Sequence, residues 1–184
     1  TKGLNHVNLK NCLVFIYDDD LDKLSANENL VKVIDQAAVE KKSLLILCNG
    51  IRGEMLSILG ANHGKALFVC PVRAPGFGPQ RSELLEDVAV LVGGKVSTEA
   101  FCEPGDLGSA DEVIVTMKDT IISGGRGKPE KIRERADAIN TRIAALSSEY
   151  AREQYRARAA RLVSGTATIR VGAATDIERA EKKF

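Results

Sequence analysis

Residues 42–78, KSLLILCNGIRGEMLSILGANHGKALFVCPVRAPGFG, constrain the fold more than any other stretch. The run at 44–48 is apolar at every position and stops at Asn49-Gly50, which is the pattern of a strand buried on both faces. A helix follows from Gly53-Glu54. Its apolar residues exceed one core-facing stripe, because Met55, Ile58 and Leu59 share one face while Leu56, Gly60 and Ala61 carry a second, smaller one. The next strand, over 66–72, contains Pro71, which removes a ladder donor and predicts an edge or bulge position. The glycine-proline loop at 74–79 closes the unit. Strand, turn, helix and strand in this order belong to an α/β fold, around which the rest of the chain forms further layers.

The flanking segments fit that scheme. CLVFIY at 12–17 predicts a strand ended by the acidic turn Asp18-Asp19-Asp20, whose carboxylates are expected to face solvent. Ser25 and Glu28 have the spacing of a capping box and predict a helix over 26–41. On it Leu30, Val33 and Ala37 make one stripe, and Val31, Ile34 and Ala38 make another beside it. The combined apolar face is about 160° wide, more than core packing requires. Residues 82–92 repeat the helical period and stop at Gly93-Gly94. A short strand is expected at 95–97, then a hairpin of strands 112–117 and 120–123 around Lys118-Asp119. From Pro129 the spacing of Ile132, Ala136, Ile139, Ile143 and Leu146 forms a heptad-like seam, interrupted at Ser147-Ser148 and resumed by Tyr155, Ala159 and Leu162. An antiparallel helical hairpin follows, many of its Arg and Glu residues read as the solvated face. Ser164-Gly165 ends it, a β-run occupies 166–171, and another helix begins within 176–184.

Composition excludes several functions. The chain of 184 residues carries 26 Lys and Arg against 25 Asp and Glu, so net charge points neither to nucleic acid nor to an anionic membrane. Aromatic residues make up 4% and Trp is absent, which argues against base stacking. The four cysteines, Cys12, Cys48, Cys70 and Cys102, include no C-x-x-C pair and read as buried free thiols of a reducing compartment. With only His6 and His63 besides, no metal site is expected. No apolar run approaches the roughly 20 residues that span a bilayer. Gly50-Ile-Arg-Gly53 lacks the dinucleotide spacing, and Gly60-Ala-Asn-His-Gly64-Lys65 is one residue short of a phosphate loop. No nucleophile-base pair or elbow motif is present, so no catalytic residue is assigned.

What remains is binding by apolar surface. If the strands preceding the two helices are neighbours, those helices lie side by side, with Val31, Ile34 and Ala38 on one wall of a groove and Leu56, Gly60 and Ala61 on the other. Such a groove accepts segments with exposed apolar side chains.

At these residues the chain closely resembles the GroEL-type (group I) chaperonins. The runs LLIL, VRAPGFG, LLEDVAVLVGGKV, DLGSADEVIV and ATIRVGAATDIE carry the resemblance, which extends over nearly everything from Asp18 onward. It implies the GroEL apical-domain fold, a swivelling β/β/α arrangement with a β-rich core, over 1–165, followed by a return strand and the start of the intermediate domain over 166–184. It further implies a piece of a chaperonin subunit that binds unfolded polypeptides and the mobile loop of a co-chaperonin. By this resemblance the binding residues are Val31, Ile34, Asp35 and Ala38 on the first helix and Leu56, Gly60, Ala61 and Asn62 on the second, with a hinge near Ser164 and Gly165. This piece is not expected to be an enzyme. The complete subunit is implied to be an ATPase using ATP and Mg, assembled in a homo-oligomeric heptameric ring that supports protein folding. A bacterial cytoplasmic location is implied, with mitochondrion and plastid as alternatives.

The sequence departs from the family where it matters for grip. Gly60 and Ala61 stand where the family typically has two valines, a loss of about five carbons worth up to roughly 2–4 kcal/mol of burial. The family's aromatic binding segment upstream of the first strand has no counterpart in TKGLNHVNLK. Two other functions stay open: a specialised paralogue serving one partner or acting as a scaffold, and a nucleotide-binding α/β domain using the Gly50–Gly53 turn.

Overall fold

Strands β1 (His6–Tyr17) and β3 (Ser43–Cys48) pair in parallel at the centre of a curled sheet, with Leu13 opposite Leu44 and Phe15 opposite Ile46. The computed structural model describes residues 6–21, 28–62, 68–97 and 104–170. Along the chain, β1 is followed by β2 (Asp20–Leu21), α1 (Glu28–Val39), β3, β4 (Gly50–Ile51), α2 (Gly53–Asn62), β5 (Val69–Arg73), α3 (Gly78–Val92) and β6 (Val96–Ser97). A turn of 3-10 helix at Pro104–Asp106 leads into β7 (Gly108–Thr116), β8 (Asp119–Gly125), α4 (Pro129–Ala145), α5 (Glu149–Ser164) and β9 (Thr166–Arg170). The sheet order is β5-β3-β1-β7-β8-β9, with β6 also pairing β1. One half is parallel and the other antiparallel, so the fold is mixed α/β.

Alternation along the parallel strands divides the core into two layers. Leu13, Phe15 and Tyr17 of β1, with Leu44, Ile46 and Cys48 of β3, face α1 and α2. Cys12, Val14, Ile16, Leu45 and Leu47 face the opposite way, onto Leu85, Val88, Ala89 and Val92 of α3. Every residue from Leu44 to Cys48 is essentially inaccessible, as its unbroken apolar run requires. Pro71 lies in β5, at the edge of the sheet, where a missing donor costs no ladder bond.

The first strand is twice the expected length. Its early half, beginning at His6, pairs only with β7 and carries Asn11 at φ 49°, a left-handed position that Asn tolerates. That half is mostly exposed, so it lacks the apolar signal that marks the second half. The hairpin turn is one residue earlier than expected, with Val115 opposite Thr120 and Thr116 Oγ1 accepting from the backbone of Lys118 and Asp119. Gly93 ends α3 at φ 74°, and a Cβ on Gly127 would stand 2.0 Å from the Val90 carbonyl oxygen. Only glycine lets the chain before α4 cross so close to the end of α3.

Helices α4 and α5 form the expected hairpin, meeting Leu91 through Ala136, Ile139, Ala159 and Leu162. Gly165 caps α5 at φ 71° and the chain passes at once into β9. That strand pairs antiparallel with β8 and contributes Ile169 to the core, so 166–170 belong to the same sheet as the rest. The helix expected in 176–184 lies outside the described residues.

Two expectations about charge are refined. Many of the hairpin's Arg and Glu side chains are exposed as expected, but three arginines meet acids of α3: Arg158 reaches Asp87 Oδ2 at 2.8 Å and Glu83 Oε2 at 2.7 Å, Arg135 reaches Asp87 Oδ1 at 2.8 Å, and Arg142 reaches Glu83 Oε1 at 2.8 Å. Tyr155 donates to Glu83 and lies with its ring centroid 4.8 Å from the Arg158 guanidinium. The acidic turn is not uniformly solvent-facing either, since Asp18 accepts from Arg81 Nε at 2.8 Å and from Ser82 Oγ, tying the end of β1 to α3. Helical periodicity shows which charges share a face; it does not show that a third helix places acids opposite them.

Burial alone would push the Glu83 carboxyl up, but hydrogen bonds from Arg158 and Tyr155, the Arg158 charge and the Arg142 bond outweigh it and leave the group below the usual carboxylate range. Its contribution to stability is therefore present above the unfolded value near pH 4.3 and lost as pH falls through the lower folded value. Glu83→Gln should reduce stability to urea at pH 7 by about 1–3 kcal/mol, a gap that narrows at pH 3. An equal gap at both pH values would show that charge is not the cause.

Candidate functional site

Parallel pairing of β1, β3 and β5 sends the chain across the same face of the sheet twice, once through α1 and once through α2. Val33, Ile34 and Ala37 of α1 and Met55 and Leu59 of α2 sink into one apolar cluster with that face. The premise of the sequence reading, neighbouring strands and helices on a common face, therefore holds.

The residues expected to grip a partner do not form one uniform wall on α1. Val31 is 38% exposed and Asp35 is exposed, Ala38 is half-buried, and Ile34 is 9% exposed within the core cluster. Ile34 thus supports the helix more than it offers surface. Val39, which periodicity did not single out, is 82% exposed at the last position of α1. Leu56, Gly60, Ala61 and Asn62 fall on α2, and their side chains are outside the described residues, as is His63. Ser164 and Gly165 lie at the junction of α5 and β9, where the Ser164 hydroxyl contacts Thr166 Oγ1 at 2.9 Å.

The glycine turn before α2 is built differently from a phosphate cradle. Gly50 and Ile51 pair in parallel with Asp20 and Leu21, and the amides of Asn49 and Arg52 donate to the carbonyls of Asp19 and Leu21. Asp20 stands beside this turn, 3.5 Å from the Arg52 guanidinium. A carboxylate at the turn and amides spent on carbonyls do not suit ATP phosphates, which need free donors and positive potential. This turn thus does not suit ATP phosphates; it launches α2.

Among the described cysteines none is bonded to another, and Cys12 and Cys48 are buried while Cys70 is partly so. Burial pushes the Cys12 thiol up to about 12 and the Cys48 thiol also to about 12, the latter assisted by the charge of Asp20. Burial likewise raises Cys70 to about 11. These thiols fill space and offer no nucleophile near neutral pH. Cys102 lies outside the described residues.

The sequence reading missed a cavity of about 420 Å³ on the other face, between α3, α5 and β9. Its walls come from segments more than 60 residues apart, so no local pattern announces it. Comparison with models of known protein families finds none that matches this chain.

Alkylation by iodoacetamide at pH 8, mapped peptide by peptide, should label Cys12 and Cys48 on the order of a thousandfold more slowly in the folded protein than in urea. Comparable rates in both states would contradict the burial of these thiols.

Proposed function

We propose that the chain is the apical, polypeptide-binding region of a GroEL-type chaperonin subunit, with the GroEL apical-domain fold over 1–165 and a hinge near Ser164 and Gly165. The observation that carries this reading is the pair α1 and α2 on one face of the sheet, where α1 fills the core with one stripe and turns Val31, Val39 and part of Ala38 outward. Outward apolar residues on a helix already anchored by a complete inner stripe add nothing to the core and are available to a partner. The sequence runs shared with the chaperonins supply the family.

In this reading, a non-native segment docks its apolar side chains on the outer stripe of α1 and on Leu56, Gly60 and Ala61 of α2, with Asp35 and Asn62 also among the binding residues. Release of water from both surfaces drives capture, at roughly 25 cal/mol per Å². The mobile loop of a co-chaperonin competes for the same apolar surface. With residues as small as Gly60 and Ala61 among its binding positions, one copy grips weakly, so effective capture relies on several copies in a homo-oligomeric ring acting on one chain. ATP and Mg would act elsewhere in the complete subunit, whose ATPase cycle would swing this region relative to the remainder. No nucleic-acid or membrane partner enters this reading, and the location it suggests is the bacterial cytoplasm. A second reading, a paralogue specialised for one partner or for a scaffold role, draws on Gly60 and Ala61, which withhold the bulk a general binder uses.

The test uses the exposed position. Val31→Glu should weaken capture of a chemically denatured enzyme about tenfold or more while the far-UV circular dichroism spectrum stays unchanged. Undiminished capture would overturn the assignment of the surface. In the opposite direction, Gly60→Val with Ala61→Val should tighten capture of varied denatured proteins about tenfold; tightening for none of them would favour the specialised paralogue.

A further inference from the structure

We propose that the cavity between α3, α5 and β9 is a binding site for small amphipathic carboxylates, distinct from the α1–α2 surface. Its volume, about 420 Å³, falls within the range of small-molecule sites. The floor is apolar: Val88 and Leu91 of α3, Leu162 of α5 and Ile169 of β9 are buried, and half-buried Leu84 flanks them. At the rim stand exposed Gln80, Gln154 and Arg161.

The charge pattern selects the ligand. Two carboxylates, Glu83 and Asp87, also line the cavity. All four of their oxygens already accept from protein donors: Arg142 on one oxygen of Glu83, Arg158 and Tyr155 on the other, Arg135 and Arg158 on the two of Asp87. They therefore leave a cationic ligand few acceptors. Arg158 is likewise committed, its Nε to Asp87 and a terminal nitrogen to Glu83. The guanidinium of Arg161 has no ion pair or hydrogen bond among the described residues, and neither do the side-chain amides of Gln80 and Gln154. The cavity thus presents an apolar floor and a rim whose uncommitted charge is positive. A carboxylate head at Arg161, with its alkyl chain laid over the partly exposed side chains of Leu84 and Ala167, satisfies both. A neutral apolar molecule would leave the guanidinium unused, and a compact inorganic anion would leave the floor wet.

Isothermal titration of the intact chain with hexanoate, octanoate and decanoate tests this. Affinity should rise about fourfold for each methylene added until the floor is covered. Arg161→Gln, at an exposed position without a side-chain partner among the described residues, should weaken decanoate about tenfold and leave decanol unaffected. Val31→Glu should leave decanoate binding intact, so failure of the chaperonin reading and failure of this one are separable. Absence of saturable binding by any of the three acids overturns the proposal, as does equal affinity of decanoate for the Arg161→Gln variant. Loss of binding in Val31→Glu would place the acid on the α1–α2 face and overturn it as well.

Discussion

A parallel strand pair cannot leave either face to water when both faces are apolar, and that constraint shapes this molecule. Residues Leu44 to Cys48 must be covered twice. Coverage on one side calls for two crossover helices, α1 and α2, and coverage on the other calls for α3. Helix α1, which carries the outward apolar residues Val31 and Val39, is thus one that the central strands require, and its outer stripe is the unused half of a structural element.

The second layer of organisation is electrostatic. Glu83 and Asp87 on α3 meet Arg135, Arg142 and Arg158 from the hairpin. Buried ion pairs gain little net stability over apolar packing of the same volume, but they punish misalignment, since a displaced helix would leave charges unpaired away from water. With Leu91 as the apolar pivot, the cluster holds the hairpin at one angle against α3. That angle leaves room between α3, α5 and β9 for the cavity, and it directs Arg158 inward while Arg161, one turn later, remains at the rim.

Much of the architecture was legible from local pattern. The buried strand at 44–48, Pro71 at the edge, the Gly93 and Gly165 helix ends and the helical hairpin follow from apolar period, a missing amide hydrogen and the left-handed freedom of glycine. Exposed polar pairing was not legible. The first half of β1 escaped because Leu9 alone among its side chains is buried, and one apolar contact is too little to mark a strand. The site was legible as to helix and stripe but not as to depth: Val31, Ile34 and Ala38 share a face by spacing, yet Ile34 sits in the core while Val31 stands in solvent. Depth depends on where a helix axis lies above the sheet, and no window of one helix contains that information.

By itself the sequence determined the layers: which strands are buried on both sides, which helices are amphipathic, and where each element stops. Tertiary structure alone decided which charges meet, which thiols and valines see water, and where a cavity remains. The physical reason is range. Propensity, capping and apolar period act within a few residues, whereas ion pairing, depth and unfilled volume arise between segments that only the completed fold brings together.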